Sequence, residues 1–234
     1  MGALSVCDRR FVGLVILVGA TLGLSDACWA QSDNAVVDRV VFPTGQFPTD
    51  VANVQTAVDL GGTVLLKATN TSGQPTAFNF GTPEPIRDPG RFVFLETAVN
   101  ILGEQAGAEM TTIRGGWFPF QGIAPVRTRI QGIHFDGPLG TAILLIRSTG
   151  SDIVGNRVSN VVGRLQSFGL TEGRGIKFLG GLDPDGAITG RIRVVGNVIE
   201  DLHADLSEAI LLDAVAADVE ITGNHIQTVQ SKAL

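Results

Sequence analysis

The chain has 234 residues, a formal net charge of −6, 30 glycines, 12 phenylalanines and no tyrosine. The acidic balance argues against nucleic acid as a partner, since binding phosphate backbones calls for basic patches. Both cysteines, Cys7 and Cys28, lie before residue 31, so the rest of the chain has no disulfide, cysteine metal site or thiol nucleophile.

Residues 1–30 read as a secretory signal peptide. Arg9 and Arg10 supply the positive start, Phe11 to Leu24 the apolar stretch, and Cys28-Trp29-Ala30 a small-x-small cleavage site. The apolar run is shorter than the roughly 20 residues a bilayer span needs, so an uncleaved anchor is the weaker alternative. Acylation of Cys28 is disfavoured by Asp26. The expected destination is extracytoplasmic (secreted, periplasmic or cell surface), with no membrane span after cleavage. What remains is enough for one domain.

Residues 31–62 form a lead-in and a capping helix. Thr49 or Asp50 can cap a helix with Val51, Val54, Ala57 and Val58 on one face, and Gly61-Gly62 stops it. Strands are expected at Thr63 to Lys67, around Ala77 to Phe80, and at Phe92 to Leu95, Val99 to Leu102 and Thr111 to Arg114. A long Thr, Ser, Gly and Pro-rich loop covers Asn70 to Pro89.

From Ala142 onward one pattern recurs. Ile143 precedes Gly155-Asn156, Ile176 precedes Gly196-Asn197, and Ile210 precedes Gly223-Asn224. Insertions of about seven residues on either side of Gly175 to Leu179 account for the uneven spacing, and without them the repeat is roughly 27 residues. Each unit is strand, turn, strand, Gly-Asn, strand. Arg129 to Phe135 fits the same unit, with Ile133 in place of Asn.

A solenoid follows, in which equivalent side chains stack about 4.8 Å apart. Ile143, Ile176 and Ile210 should form one inward row, and Leu145, Phe178 and Leu212 another. The Asn residues are expected at corners, in the left-handed conformation Asn tolerates, bonded from coil to coil. The expected class is all-β: a single-stranded right-handed parallel β-helix over residues 63–234, with the helix capping its N-terminal end. The chain stops at Lys232-Ala233-Leu234, directly after a strand. Because solenoids need caps at both ends, either the chain continues beyond Leu234 or a partner covers that end.

These Gly-Asn turns, together with Val54 to Leu66, resemble the right-handed β-helix proteins of the pectin-lyase-like superfamily. The resemblance implies a fold far more than an activity, since such proteins include lyases, hydrolases, epimerases and adhesins. It implies a polysaccharide or cell-surface glycan as partner and, for the lyases, an Arg or Lys base with acidic residues binding calcium. Here the two insertions would wall a groove over Gly175 to Leu179, with Lys177 pointing into it.

Lys177 and Arg174 are then the candidate catalytic residues, Glu172 and Glu208 the candidate substrate-binding residues, and Asp183, Asp185 and Asp213 the candidate Ca2+ ligands. The competing reading makes Arg174 and Glu208 a surface ion pair and Asp183-Pro184-Asp185-Gly186 an ordinary turn. His134, His203 and His225 are expected at different positions of the repeat, forming no ligand row. The alternative to a carbohydrate-active protein is a non-catalytic surface or adhesion solenoid.

Overall fold

The computed structural model describes residues 36–81, 92–124, 127–165, 169–180, 190–215 and 218–230. The expected leader and the final residues lie outside these. Three parallel sheets dominate. The first runs β1 (Arg39–Val41), β2 (Gly62–Leu66), β5 (Val99–Gly103), β10 (Thr128–Gln131), β13 (Ser151–Val154), β17 (Arg191–Val195) and β20 (Asp218–Thr222). The second runs β3 (Phe78–Asn79), β8 (Thr112–Arg114), β11 (His134–Asp136), β14 (Arg157–Ser159), β18 (Val198–His203) and β21 (His225–Gln230). The third runs β4 (Val93–Leu95), β9 (Phe120–Ile123), β12 (Thr141–Ile146), β16 (Thr171–Leu179) and β19 (Leu206–Asp213). From β8 onward the chain visits second, third and first sheet in turn, so each circuit adds one strand to each sheet.

Two short antiparallel additions were not expected from the sequence. β6 (Gln105–Ala106) pairs with β7 (Glu109–Met110), and β15 (Arg164–Leu165) pairs with the start of β16.

Alternation fixes which side chains enter the core. In the first sheet Val64, Ile101, Ile130, Ile153 and Val194 stand in register and are fully buried. In the second, Phe78, Ile113, Phe135, Val158 and Ile199 do the same. The third sheet carries the predicted rows, Ile143, Ile176 and Ile210, which Phe120 extends by one strand, and Leu145, Phe178 and Leu212. Phe120 meets Phe135 edge to face, 5.6 Å between ring centroids, which ties the inner faces of two sheets together. Each buried side chain contributes roughly 1.5–3 kcal/mol.

At the corner between the first and second sheets the sequence expectation needs correcting. Gly132, Gly155, Gly196 and Gly223 take the left-handed conformation, at φ of 69°, 59°, 64° and 63°, and the Asn residues after them do not. The glycine turns the chain, which leaves the Asn side chain to point inward and bond along the stack. Asn156 and Asn197 are 1% and 0% exposed. Each Asn Oδ1 accepts the backbone N–H at the same position one circuit earlier, from Ile133, Asn156 and Asn197 in turn. The expected coil-to-coil bonding is therefore present. The chain is left-handed again just past β8, β11 and β14, at Gly115, Gly137 and Asn160, and within β18 and β21, at Asp201 and Thr228.

The helix α1 (Thr49–Asp59) buries Val51, Val54, Ala57 and Val58 in the same core as β1 to β4. Gly61, at φ +66°, ends it with an N–H bond to Val58 O. The expected Thr49 or Asp50 cap does not form: Pro48 sits at the N-cap without a side-chain cap bond. The fully buried Asp50 carboxylate instead accepts from Thr44 N and Oγ1, each at 2.7 Å, and from Asn79 N at 2.8 Å.

Candidate functional site

Because Ile176 and Phe178 point inward, Lys177 stands on the outer face of β16. In register with it are Leu144 on β12 and Leu211 on β19, then Gln121 and Phe94. Arg174, three residues earlier, lies in register between Thr141 and Glu208. It is only 8% exposed and forms ion pairs through Nη1 with Glu172 and through Nε with Glu208. Lys177 Nζ lies 3.6 Å from the same Glu172 oxygen. Four of the predicted residues, Glu172, Arg174, Lys177 and Glu208, therefore form one cluster, with Glu172 shared by two cations.

The electrostatics of the cluster bear on Lys177. Burial disfavours its ammonium, the adjacent Arg174 charge disfavours it further, and Glu208 and Asp213 only partly oppose them. The Lys177 pKa falls below its ordinary value, so an uncharged amine is more accessible here than on an open surface. Arg174 is thus held between two carboxylates of the cluster.

The first insertion builds the hairpin of β15 and β16, which makes β16 longer than the five-residue strand expected. Thr171 N and Oγ1 donate to Asp205 Oδ2 at 2.9 and 3.0 Å, which pins the turn end of the hairpin to the next circuit. Arg164 on β15 lies over the Trp117 ring, 4.1 Å from its centroid, and Trp117 stacks on Phe118. This cation–π contact seats the hairpin against the turn two circuits earlier. The second insertion carries Asp183 and Asp185, which lie outside the described residues. Asp213, the third predicted metal ligand, is exposed at the end of β19 in register with Leu179. Among the described residues no three His, Cys, Asp or Glu side chains form a metal-holding group.

The sequence reading missed the outer face of the second sheet. Asn79, Arg114, Asp136 and Ser159 share one row, and Thr112, His134, Arg157, Val198 and His225 another. His134 and His225 thus occupy the same repeat position, three circuits apart, contrary to expectation. His134 is also partly buried, with Nε2 2.8 Å from Ser159 Oγ. Aligning the triplets Thr112-Ile113-Arg114, His134-Phe135-Asp136 and Arg157-Val158-Ser159 on their inward middle residue is the signal that finds these rows.

Among the described residues no helix is long and apolar enough to cross a membrane. No family model, curated protein or solved structure matches this chain.

Proposed function

We propose that the chain is a right-handed parallel β-helix of the pectin-lyase-like type, exported, which binds and processes acidic polysaccharide over the outer face of β16. The cyclic order of strands through three parallel sheets supports the fold, and the strong preference of parallel crossovers for one hand supports its handedness. The observation that carries the function is Lys177, partly buried beside Arg174 with its proton affinity lowered. In a uronate elimination the neutral Lys177 amine takes the C5 proton, the C4–O glycosidic bond breaks with its electron pair leaving on oxygen, and a C4=C5 double bond remains. Arg174 positions Glu172 and keeps Lys177 deprotonated more often, while Glu172 and Glu208 accept sugar hydroxyls. Of the calcium ligands that the resemblance implies, Asp213 alone lies among the described residues, and the proton transfer is assigned to Lys177.

The test is the ultraviolet absorbance of unsaturated product when the protein is incubated with polygalacturonate or alginate, with and without calcium. Product should accumulate and fall roughly 100-fold or more in Lys177→Ala. No product, with polysaccharide binding unchanged in Lys177→Ala, would remove this reading. A second reading is a non-catalytic surface solenoid. It is favoured by Leu144 and Leu211 on either side of Lys177, which leave the row without polar neighbours in the adjoining strands.

A further inference from the structure

A cleft of about 530 Å³ opens along the second sheet, away from β16, between the loop at Gly45, the segment Thr76-Ala77 and the outward residues Asn79, Arg114 and Asp136. Its volume lies within the roughly 300–1,000 Å³ typical of ligand pockets. Its walls are fixed from beneath. Buried Asp50 holds Thr44 on one side and Asn79 N on the other, so one carboxylate sets the distance between them. Asn79 adds two bonds of its own, Nδ2 to Gly45 O at 3.2 Å and Oδ1 from Gly81 N at 2.9 Å. The cleft is thus preformed, and a ligand would not have to order it.

The floor is bare backbone, made by Gly81, Gly115 and Gly137. At Gly115 this is enforced: φ is +75°, and a Cβ there would stand 2.0 Å from Gly81 O. A floor without side chains offers a flat surface to the C–H face of a ring. At the edge Arg114 Nε lies 3.3 Å from Asp136 Oδ2, and Asn160 Nδ2 donates to Asp136 Oδ1 at 2.8 Å. The Arg114 side chain is 68% exposed, so donors and a carboxylate acceptor sit side by side at the opening. Their opposite charges cancel, which removes the attraction a phosphate, uronate or free cation would need, while adjacent donor and acceptor suit adjacent hydroxyls. Burial works against the Asp136 charge, but hydrogen bonds from Asn160 and Arg114 outweigh it and hold its pKa below the usual range. The acceptor therefore stays ionised at neutral pH.

We propose that this cleft, with its glycine floor and its Arg114–Asp136 edge, is a binding site for an uncharged pyranose unit, on a different sheet from the Lys177 cluster.

The test is calorimetric titration of the full chain with short neutral oligosaccharides of glucose, mannose and galactose. At least one should bind, and Arg114→Ala and Asp136→Asn should each weaken it by roughly tenfold or more. Ala77→Phe, which fills the cleft and leaves both charges in place, should abolish binding without lowering the thermal midpoint. Saturating galacturonate oligomer should leave the neutral titration unchanged, which separates this site from the one over β16. Failure of all three sugar classes to bind, binding that survives Ala77→Phe, or competition by the galacturonate oligomer would each overturn the proposal.

Discussion

Asn197 Oδ1 accepts two bonds from Asn156, the backbone N–H at 2.9 Å and the carboxamide Nδ2 at 3.1 Å, while Asn197 Nδ2 donates to Ile153 O at 2.9 Å. One fully buried side chain thus satisfies three polar groups of the circuit before it. Asn197→Ala would strip the Asn156 N–H and the Ile153 carbonyl of this partner in a place water does not reach, while Asn156 Nδ2 keeps its bond to Ile130 O at 3.0 Å. At about 1–3 kcal/mol for each unsatisfied buried group, the expected loss is about 2 kcal/mol or more, read from urea unfolding. A loss under about 1 kcal/mol would mean that the stack of amides is incidental to stability.

Ile176 is covered on both sides, by Ile143 and Ile210, whereas Ile210 lies in β19 and is only partly buried. Ile176→Ala should therefore cost about 2–5 kcal/mol, and Ile210→Ala clearly less, although the chemical change is the same. Equal losses in denaturant unfolding would show that burial does not grade along this row.

How much of this was readable from the sequence depends on what each residue answers to. Ile143, Ile176 and Ile210 could be aligned in advance because the Gly-Asn corners mark the circuits and strand alternation does the rest. The role of Asp50 could not, because its partners Thr44 and Asn79 are 6 and 29 residues away and meet it only after β3 has joined the second sheet. The same holds for Arg174. Its pairing with Glu208 followed from the repeat, but its engagement by Glu172 depends on the pairing of β15 with the start of β16, which no repeat dictates. The left-handed residue at the corner was misassigned to Asn because Gly and Asn both tolerate that conformation. What separates them is that the amide is needed inside.

His134 gives the fold an acid-side sensitivity. Burial lowers its pKa below the ordinary 6.5, Arg157 lowers it further, and Asp136 and Glu200 oppose without prevailing. The unfolded chain therefore takes up this proton at a higher pH than the folded one. The contribution is fully present above about pH 6.5 and is lost as the pH falls from there through the folded pKa. The thermal midpoint of the native chain should fall more steeply over that window than that of His134→Gln. Parallel curves would exclude His134 as the source.

Lys177 carries the same charge logic into the alkaline range. Its folded pKa is pushed below 10.5, by burial first and by Arg174 second, so the unfolded chain holds this proton longer than the folded one. Stability from this group therefore rises as the pH climbs from the folded pKa toward about 10.5, and Lys177→Met should flatten that rise. The proposed chemistry makes a matching demand. If the neutral amine is the base, elimination should increase with pH along a limb whose midpoint is below that of an ordinary lysine. Arg174→Met removes the neighbouring positive charge and leaves Glu208 and Asp213 beside the ammonium, so the limb should move to higher pH. A limb that stayed in place in Arg174→Met, or moved to lower pH, would separate Lys177 from the proton transfer assigned to it.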